Sequence, residues 1–277
     1  MSDGGAGQPR RGRPKRSLGQ NFLIDPNLQR KIVGALDAEP EDDVVEIGPG
    51  TGALTQHLVG RVRSLRLVEL DDELVEQLRR EFGELPEVEI IHADVLDLAP
   101  GDLCGGTDPK VIGNIPYGIT SPLIFHLLQA RPRPRLIVLT LQREVAERLV
   151  AAPGGKEYGA LTVGVRAVAD VELLFTVSRE TFRPRPDVDS ATVRIVPHRP
   201  APLTPAAEAA LRRLTRVAFS RRRKQMQTVL RQAPEYGLAR AEVAEVLGSL
   251  GIDPAVRPDA LPVADYMRLA ARLEGAR

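Results

Sequence analysis

The feature that most constrains the fold of this chain is an apolar run that leads into three closely spaced glycines. Residues 44–47 (VVEI) have the composition of a buried strand, glycines occupy positions 48, 50 and 52, and residues 53–58 follow a helical pattern. Glycines in such a turn let the backbone approach a ligand and place N–H groups at the start of a helix. The unit predicts an open α/β sheet that binds a ligand at its carboxyl edge. Because the glycines stand at every second position, the spacing disfavours a dinucleotide-dependent hydride transfer.

Two carboxylates are expected at the same edge of this sheet. Residues 65–69 predict a second strand ending in Glu69, about twenty residues after the glycine turn, where such folds hold ribose hydroxyls. Residues 88–91 predict a third strand, and the Asp94 that follows it could accept a hydrogen bond from the adenine amine of a nucleoside cofactor. Glu69 could instead be a solvated charge at a strand end, because Asp71 and Asp72 lie close by.

A fourth apolar run, at 111–112, delivers the segment 114–117 (NIPY) to this edge. The N6 amine of adenine is a poor nucleophile because its lone pair is delocalised into the ring. The Asn114 side-chain oxygen and the Ile115 carbonyl can accept both N–H protons, and Pro116 biases Ile115 toward extended geometry. Tyr117 offers a face on which the base can stack. The segment therefore predicts methyl transfer to adenine without a general base, although an ordinary turn after a strand is the alternative.

The rest of the sequence predicts a mixed sheet followed by helices. Residues 121–129 predict a helix with Ser121 as N-cap and Pro122 at its first position. A strand is expected at 135–141, a helix at 142–150, and strands at 161–168, 172–177 and 191–196. Short amphipathic helices are expected at 206–219, 224–231, 240–247 and 263–273. Prolines 197, 200, 202 and 205 separate the two parts, which predicts a tail at 1–17, an α/β domain at 18–199 and a helical domain at 200–277.

Seven blocks along the chain resemble one known family, the KsgA-type rRNA adenine N6,N6-dimethyltransferases. The blocks are 19–25 (GQNFLID), 46–52 (EIGPGTG), 114–117 (NIPY), 141–145 (LQREV), 156–159 (KEYG), 182–190 (FRPRPDVDS) and 251–254 (GIDP). The resemblance implies a Rossmann-like S-adenosylmethionine-dependent methyltransferase sheet with helices on both faces, plus a small C-terminal all-helical domain. It also implies dimethylation of two adjacent adenosines in a hairpin loop near the 3′ end of 16S rRNA, within a small-subunit particle.

The same resemblance implies roles for residues that the sequence alone does not assign. It places S-adenosylmethionine against Asn21, Leu23, Gly48, Glu69 and Asp94, with Asn114 between the cofactor and the base. Residues 20–23 would otherwise be interpreted as a capped helix start.

The aromatic residue of the block 182–190 also receives a role from the resemblance. The family uses an aromatic at the position of Phe182 to sandwich the target base with the aromatic of the NIPY block, here Tyr117. Core packing before a rigid turn is the alternative for Phe182.

The sequence departs from the family pattern at a few positions. Ile115 stands where Leu is commoner and Gly118 where many members carry Asn, but both changes keep the donor and acceptor chemistry. Gln225 follows the basic cluster where Thr is frequent. Two other functions stay open: the macrolide-resistance type, which methylates large-subunit rRNA, and a non-catalytic ribosome-assembly factor. The LQREV and GIDP blocks favour the small-subunit enzyme.

The distribution of charge is more informative than the net charge of +1. Between positions 211 and 231 lie eight basic residues and no acidic one, which predicts a phosphate-binding patch centred on Arg221, Arg222, Arg223 and Lys224. A solvated helix face is the alternative. The tail at 1–17 is also basic and could follow an RNA backbone.

The composition is typical of a cytoplasmic enzyme. A single cysteine, Cys104, excludes an intramolecular disulfide, and no His/Cys cluster has metal-ligand spacing. The sequence has no apolar run near the ~20 residues of a membrane span and no secretion signal. We therefore expect a monomer in the cytoplasm without a metal.

Overall fold

The computed structural model describes residues 20–275, so the predicted tail at 1–17 lies outside the described residues. The strands are β1 (Phe22–Leu23), β2 (Asp43–Ile47), β3 (Ser64–Glu69), β4 (Val88–His92), β5 (Lys110–Asn114), β6 (Leu136–Gln142), β7 (Ala169–Val177), β8 (Phe182–Arg183) and β9 (Ser190–Pro197). Within the described range, β1 and β8 pair with each other and the other strands form a seven-stranded sheet.

The large sheet has the order β4-β3-β2-β5-β6-β9-β7. Strands β2 to β6 run parallel, and β9 is antiparallel to both of its neighbours. The chain proceeds outward from β2 through β3 to β4 and then returns to the other side of β2 as β5. The carboxyl ends of β2 and β5 therefore flank the topological switch point, where open α/β sheets bind their ligands.

Both faces of the sheet are covered, as expected when successive strand residues are all apolar. Val44 packs in a hydrophobic cluster with Ile32 and Leu78, whereas its neighbour Val45 packs in a second cluster that includes Leu127. The helices are α1 (Pro26–Ala35), α2 (Asp72–Phe82), α3 (Pro100–Leu103), α4 (Thr120–Gln129), α5 (Arg143–Val150), α6 (Ala160–Arg166), α7 (Pro205–Ser220), α8 (Met226–Arg231), α9 (Arg240–Ser249) and α10 (Val263–Glu274).

The C-terminal helices α7 to α10 occur where the sequence predicts them. The hydrophobic cluster that contains Val45 also contains Leu211 of α7 and Leu269 of α10, so these helices share a core with one face of the sheet. The boundary between an α/β and a helical domain at 199/200 stays a prediction. None of the helices in the described part of the chain is long and apolar enough to cross a membrane.

The strand predicted at 161–168 is wrong, because this segment forms the helix α6. The Thr162 hydroxyl accepts a hydrogen bond from the N–H of Gly159 at 3.1 Å and donates one to the Arg148 carbonyl at 2.6 Å, which fixes the start of the helix. Thr162, Val163 and Val165 are buried. A short apolar run buried on most sides has no clear period, so the sequence does not separate helix from strand here.

Two helix starts also differ from the predictions. Residues 53–58 contain only a 3₁₀ turn at Thr55–His57, because the N–H groups of His57 and Leu58 bond to the carbonyls three residues before them. Helix α4 begins at Thr120, one residue before the predicted N-cap Ser121, because a 3₁₀ turn at Tyr117–Ile119 runs directly into it. The glycine turn therefore does not lead into a long helix.

Candidate active site

The glycine turn and the NIPY segment lie side by side at the switch point. In the pairing of β2 with β5, Ile47 stands opposite Gly113, so the residues that follow each strand are neighbours. Gly48 has a φ of 66°, which side chains rarely tolerate, and its N–H donates to the Val68 carbonyl at 2.9 Å. A methyl group built on Gly48 would lie 3.8 Å from the Asn114 carbonyl oxygen. The turn therefore presents bare backbone next to Asn114.

Glu69 ends β3 and lies under the glycine turn rather than in solvent. Its carboxylate accepts hydrogen bonds from the N–H groups of Gly50 at 3.0 Å, Leu70 at 2.9 Å and Asp71 at 3.0 Å. The residue is 6% exposed, and this burial raises the pKa of Glu69 above its ordinary value. The alternative of a solvated charge is excluded in this structure, and Glu69 is fixed at the carboxyl edge of the sheet beside the glycine turn.

Asp94 follows β4, the strand next to β3, and is half-buried. One of its carboxylate oxygens accepts a hydrogen bond from the N–H of Leu96 at 2.9 Å, and its carbonyl accepts one from the N–H of Asp97 at 3.0 Å. These bonds form a tight turn that holds the carboxyl group near the carboxyl edge of the sheet. Glu69 and Asp94 thus present carboxylates from adjacent strand ends.

Asn114 is the last residue of β5, and its side chain has a defined orientation. Its Nδ2 donates a hydrogen bond to the Asn21 carbonyl at 2.9 Å, so its Oδ1 faces the other way as an acceptor. The next residue, Ile115, donates its N–H to the Thr140 carbonyl at 2.9 Å, which ties the start of the NIPY loop to β6. Pro116 has a φ of −54° and leads into the turn at Tyr117–Ile119.

Tyr117 is half-buried beside this loop. Its hydroxyl shares a hydrogen bond with the Ser190 hydroxyl at 3.0 Å. Burial raises the pKa of Tyr117, and the nearby Asp189 adds to the rise, whereas the bond to Ser190 lowers it. The phenol is therefore neutral at physiological pH and the ring is held at both ends.

The N-terminal block docks directly on these residues. β1 pairs with β8, which places Leu23 opposite Phe182, and the Phe22 ring lies where a side chain on Gly50 would stand, 3.2 Å from the position of its Cβ. The Leu23 side chain is buried, and its carbonyl accepts a hydrogen bond from Nε2 of Gln29 at 2.9 Å.

Helix α1 begins only at Pro26, with Asp25 as its N-cap, so residues 20–23 are not the helix start that the sequence alone suggests. Asn21 lies at the candidate site through its bond to Asn114. The Leu23 side chain packs in the core beside the site, and its carbonyl already accepts the hydrogen bond from Gln29.

The position of Phe182 does not agree with the expectation that it stacks on the base. The side chain is 1% exposed and packs in the hydrophobic cluster with Leu23, Leu36 and Val177. A ring enclosed in this way has no free face, so the observed role of Phe182 is core packing. The resemblance of the block 182–190 to the family implies a role for this aromatic residue, but it does not indicate how deeply the side chain is buried.

The basic cluster at 221–224 follows the end of α7 and is not uniform. Arg222 donates hydrogen bonds to the carbonyls of Lys156 at 2.6 Å and Gly155 at 2.9 Å, and it pairs with Asp259 at 3.2 Å. Its guanidinium is thus occupied in holding the 155–156 loop. Arg223 and Lys224 are exposed, and Arg221 is half-buried. The expectation that all four side chains bind phosphate is therefore not supported for Arg222.

The sequence did not reveal a role for Glu46, which lies in β2 two residues before Gly48 of the glycine turn. This carboxyl is 1% exposed and accepts a hydrogen bond from the Thr55 hydroxyl at 2.7 Å. Burial raises the pKa of Glu46 to about 8; the Thr55 bond lowers it and the neighbouring Glu69 carboxylate raises it. The signal in the sequence is a lone acid inside the apolar run of β2. Glu46 ties β2 to the turn that follows the glycines.

The sequence matches one protein family over nearly its whole length. The model of that family, ribosomal RNA adenine dimethylase, matches residues 12–274. A Marinobacter nauticus protein named ribosomal RNA small subunit methyltransferase A is 41% identical over 256 residues, which cover 92% of this chain and 90% of the relative. A protein of the same name from a Janthinobacterium species is 42% identical over 263 residues, covering 94% and 98%.

Solved structures give the same fold. A dimethyladenosine transferase from Plasmodium falciparum superposes with a TM-score of 0.78 at 27% identity, covering 90% of this chain and 95% of that one. The 23S rRNA methyltransferase ErmE superposes with a TM-score of 0.68 at 29% identity, covering 92% and 100%. The Rossmann-like methyltransferase sheet with C-terminal helices that the sequence predicts is thereby confirmed.

Proposed function

The chain belongs to the ribosomal RNA adenine dimethylase family, and from this premise we propose that it dimethylates N6 of two adjacent adenosines in the 3′-terminal hairpin loop of 16S rRNA. The family model describes ribosomal RNA adenine dimethylases, and the relatives that cover nearly the whole chain are named as small-subunit methyltransferases, so adenine dimethylation of small-subunit rRNA is the activity. The finer target, two neighbouring adenosines in one hairpin, is part of the proposal. The observation that supports methyl transfer to an adenine amine is the orientation of Asn114, whose Nδ2 is bonded to the Asn21 carbonyl and whose Oδ1 is left to accept from a base.

The residues at the carboxyl edge fit S-adenosylmethionine as the methyl donor. Gly48 presents backbone without a side chain, and the Glu69 and Asp94 carboxylates stand on adjacent strand ends. We propose that Glu69 binds the ribose hydroxyls and Asp94 the adenine amine. Asn21 and Leu23 would line the same site from the N-terminal block. When bound, S-adenosylmethionine supplies a methyl group on a sulfonium, which is a good leaving group.

The chain's own residues prepare the acceptor. The Asn114 Oδ1 and the Ile115 carbonyl accept hydrogen bonds from the N6 amine. These bonds draw the nitrogen lone pair out of conjugation with the ring and direct it toward the methyl donor. Pro116 restrains the loop that carries that carbonyl, and the Tyr117 ring supports the flipped base by stacking. These interactions orient the amine for attack on the methyl carbon. The methylated nitrogen then loses its proton to water, so the mechanism needs no side chain that acts as a general base.

We further propose that the exposed side chains Arg223 and Lys224 contact RNA phosphates, with Arg221 beside them. Arg222 serves the same surface indirectly, because it holds the 155–156 loop. The substrate would be 16S rRNA within a small-subunit particle, and the enzyme would act as a monomer in the cytoplasm. No group in the described range combines three or more His, Cys, Asp or Glu side chains that could hold a metal ion, and the proposed mechanism requires none.

The experiment that tests this proposal is transfer of labelled methyl to undermethylated small-subunit particles. Large-subunit rRNA serves as the parallel substrate, and nuclease digestion identifies the product nucleoside. Dimethyladenosine in 16S rRNA is the expected product. Label in large-subunit rRNA would instead indicate the activity that the name of ErmE describes. Binding of S-adenosylmethionine without label in either RNA would favour a non-catalytic assembly factor.

A further inference from the structure

The hydrogen bond between Tyr117 and Ser190 connects the proposed base-binding loop to β9, which lies between β6 and β7 in the sheet. Ser190 is the first residue of β9 and is 1% exposed. It pairs with Gln142 of β6 on one side and with Val177 of β7 on the other. Its backbone is thus fixed by two neighbouring strands. A hydroxyl in this position is a rigid anchor for whatever it contacts.

Tyr117 lacks such support from its own backbone. β5 ends at Asn114, and Tyr117 lies in the following 3₁₀ turn. The turn is held by a hydrogen bond from the Ile119 N–H to the Pro116 carbonyl at 3.2 Å and by one from the Thr120 hydroxyl to the Tyr117 carbonyl at 3.3 Å. These bonds fix the main chain and do not involve the ring. The Tyr117 hydroxyl bonds to the Ser190 hydroxyl at 3.0 Å, and this bond restrains the far end of the ring.

We propose that Ser190 is a positioning residue for methyl transfer, which sets the plane of the Tyr117 ring so that the target adenine stacks in the reactive geometry. This inference rests on the proposed role of Tyr117 as the stacking face. It adds a residue that touches neither cofactor nor base. Two of the sequence blocks, NIPY and FRPRPDVDS, are joined by this one bond, because Tyr117 belongs to the first and Ser190 to the second.

A purely structural role for the Ser190 hydroxyl has less support. The strand ladder already holds the Ser190 backbone, and two residues further along β9 the buried Thr192 hydroxyl bonds to the Thr140 hydroxyl at 3.0 Å. That second pair links β9 to β6 through side chains, whereas the contact of Thr140 with the NIPY loop is made by its carbonyl. The bond of Ser190 instead reaches past β6 to the loop after β5. The strand gains little from it, whereas the loop gains a fixed ring.

The test is a double-mutant cycle of Ser190→Ala and Tyr117→Phe in the full-length enzyme, with undermethylated small-subunit particles as substrate. Each single variant removes the same hydrogen bond, worth about 1 kcal/mol, and should lower kcat about five- to tenfold. The KM for particles and the Kd for S-adenosylmethionine should stay within about twofold. The double variant should lose no more than either single variant.

Two further variants separate positioning from stability. Ser190→Thr keeps the hydroxyl and should restore most of kcat. Thr192→Val removes the matched hydroxyl pair on the same strand and should lower Tm without changing kcat.

Several outcomes would overturn the inference. The first is a Ser190→Ala enzyme that keeps the wild-type kcat while its Tm falls. The second is a double variant whose loss is the product of the single losses. Absence of methyl transfer by the wild-type enzyme would instead count against the proposed function itself.

Discussion

Replacing Glu46 by Gln should change how stability depends on pH. Burial raises the pKa of Glu46 from its ordinary value of 4.5 to about 8. A carboxyl whose pKa is raised by folding stabilises the native state at low pH, and that stability is lost as pH rises toward 8. At about 1.4 kcal/mol per pKa unit, the loss between pH 5.5 and 8 amounts to about 3 kcal/mol. Gln is neutral at every pH and can still accept the hydrogen bond from Thr55, so the variant should not suffer this loss.

The assay is urea unfolding of the wild type and of Glu46→Gln at pH 5.5 and pH 8.0. The free energy of unfolding of the variant, relative to the wild type, should increase by about 3 kcal/mol from the lower to the higher pH. Comparing the two proteins at each pH removes the contribution of every other titrating group. A difference that is the same at both pH values, within about 0.5 kcal/mol, would refute the reasoning that Glu46 is a buried carboxyl with a raised pKa.

Three further predictions concern the site and the RNA surface. Asn114→Ala should lower methyl transfer at least about 100-fold, while the Kd for S-adenosylmethionine changes less than about threefold. The exposed residue Asn27, replaced by Ala, serves as the control. A loss of cofactor affinity as large as the loss of activity would contradict the role of Asn114. Phe182→Leu should keep kcat within about threefold and cost about 1 kcal/mol of stability in urea unfolding, whereas a kcat loss beyond tenfold would restore the stacking role. Reversing the charges of Arg223 and Lys224 to Glu should weaken RNA binding and reduce the slope of log affinity against log salt by about 2; an unchanged slope would mark them as solvated.

The edge of the sheet could be predicted from the sequence because each of its residues follows a short apolar run. Glu69, Asp94 and Asn114 come at the ends of β3, β4 and β5, and parallel strands bring such ends together whatever the side chains between them. The glycine turn could be predicted for a similar reason, since a positive φ at Gly48 is a local requirement. These inferences need only strand order and direction.

Features that depend on tertiary packing could not be predicted in the same way. Phe182 lies in the core because β8 pairs with β1, a contact between segments about 160 residues apart. Helix α6 forms because Gly159 and the Arg148 carbonyl bond to Thr162, and no periodicity in the sequence indicates these contacts. The Arg222 guanidinium is not free to bind phosphate, because it donates hydrogen bonds to two carbonyls of the 155–156 loop. In each case the sequence gives the residue type but not its partner.

The measurement that tests the account most directly is mass spectrometry of the 3′-terminal fragment of 16S rRNA after complete reaction of the wild-type enzyme with undermethylated small-subunit particles. Four added methyl groups are expected, as two dimethyladenosines at adjacent positions of one hairpin loop. A fragment without added methyl groups, or methyl groups on adenosines that are not neighbours, would contradict it.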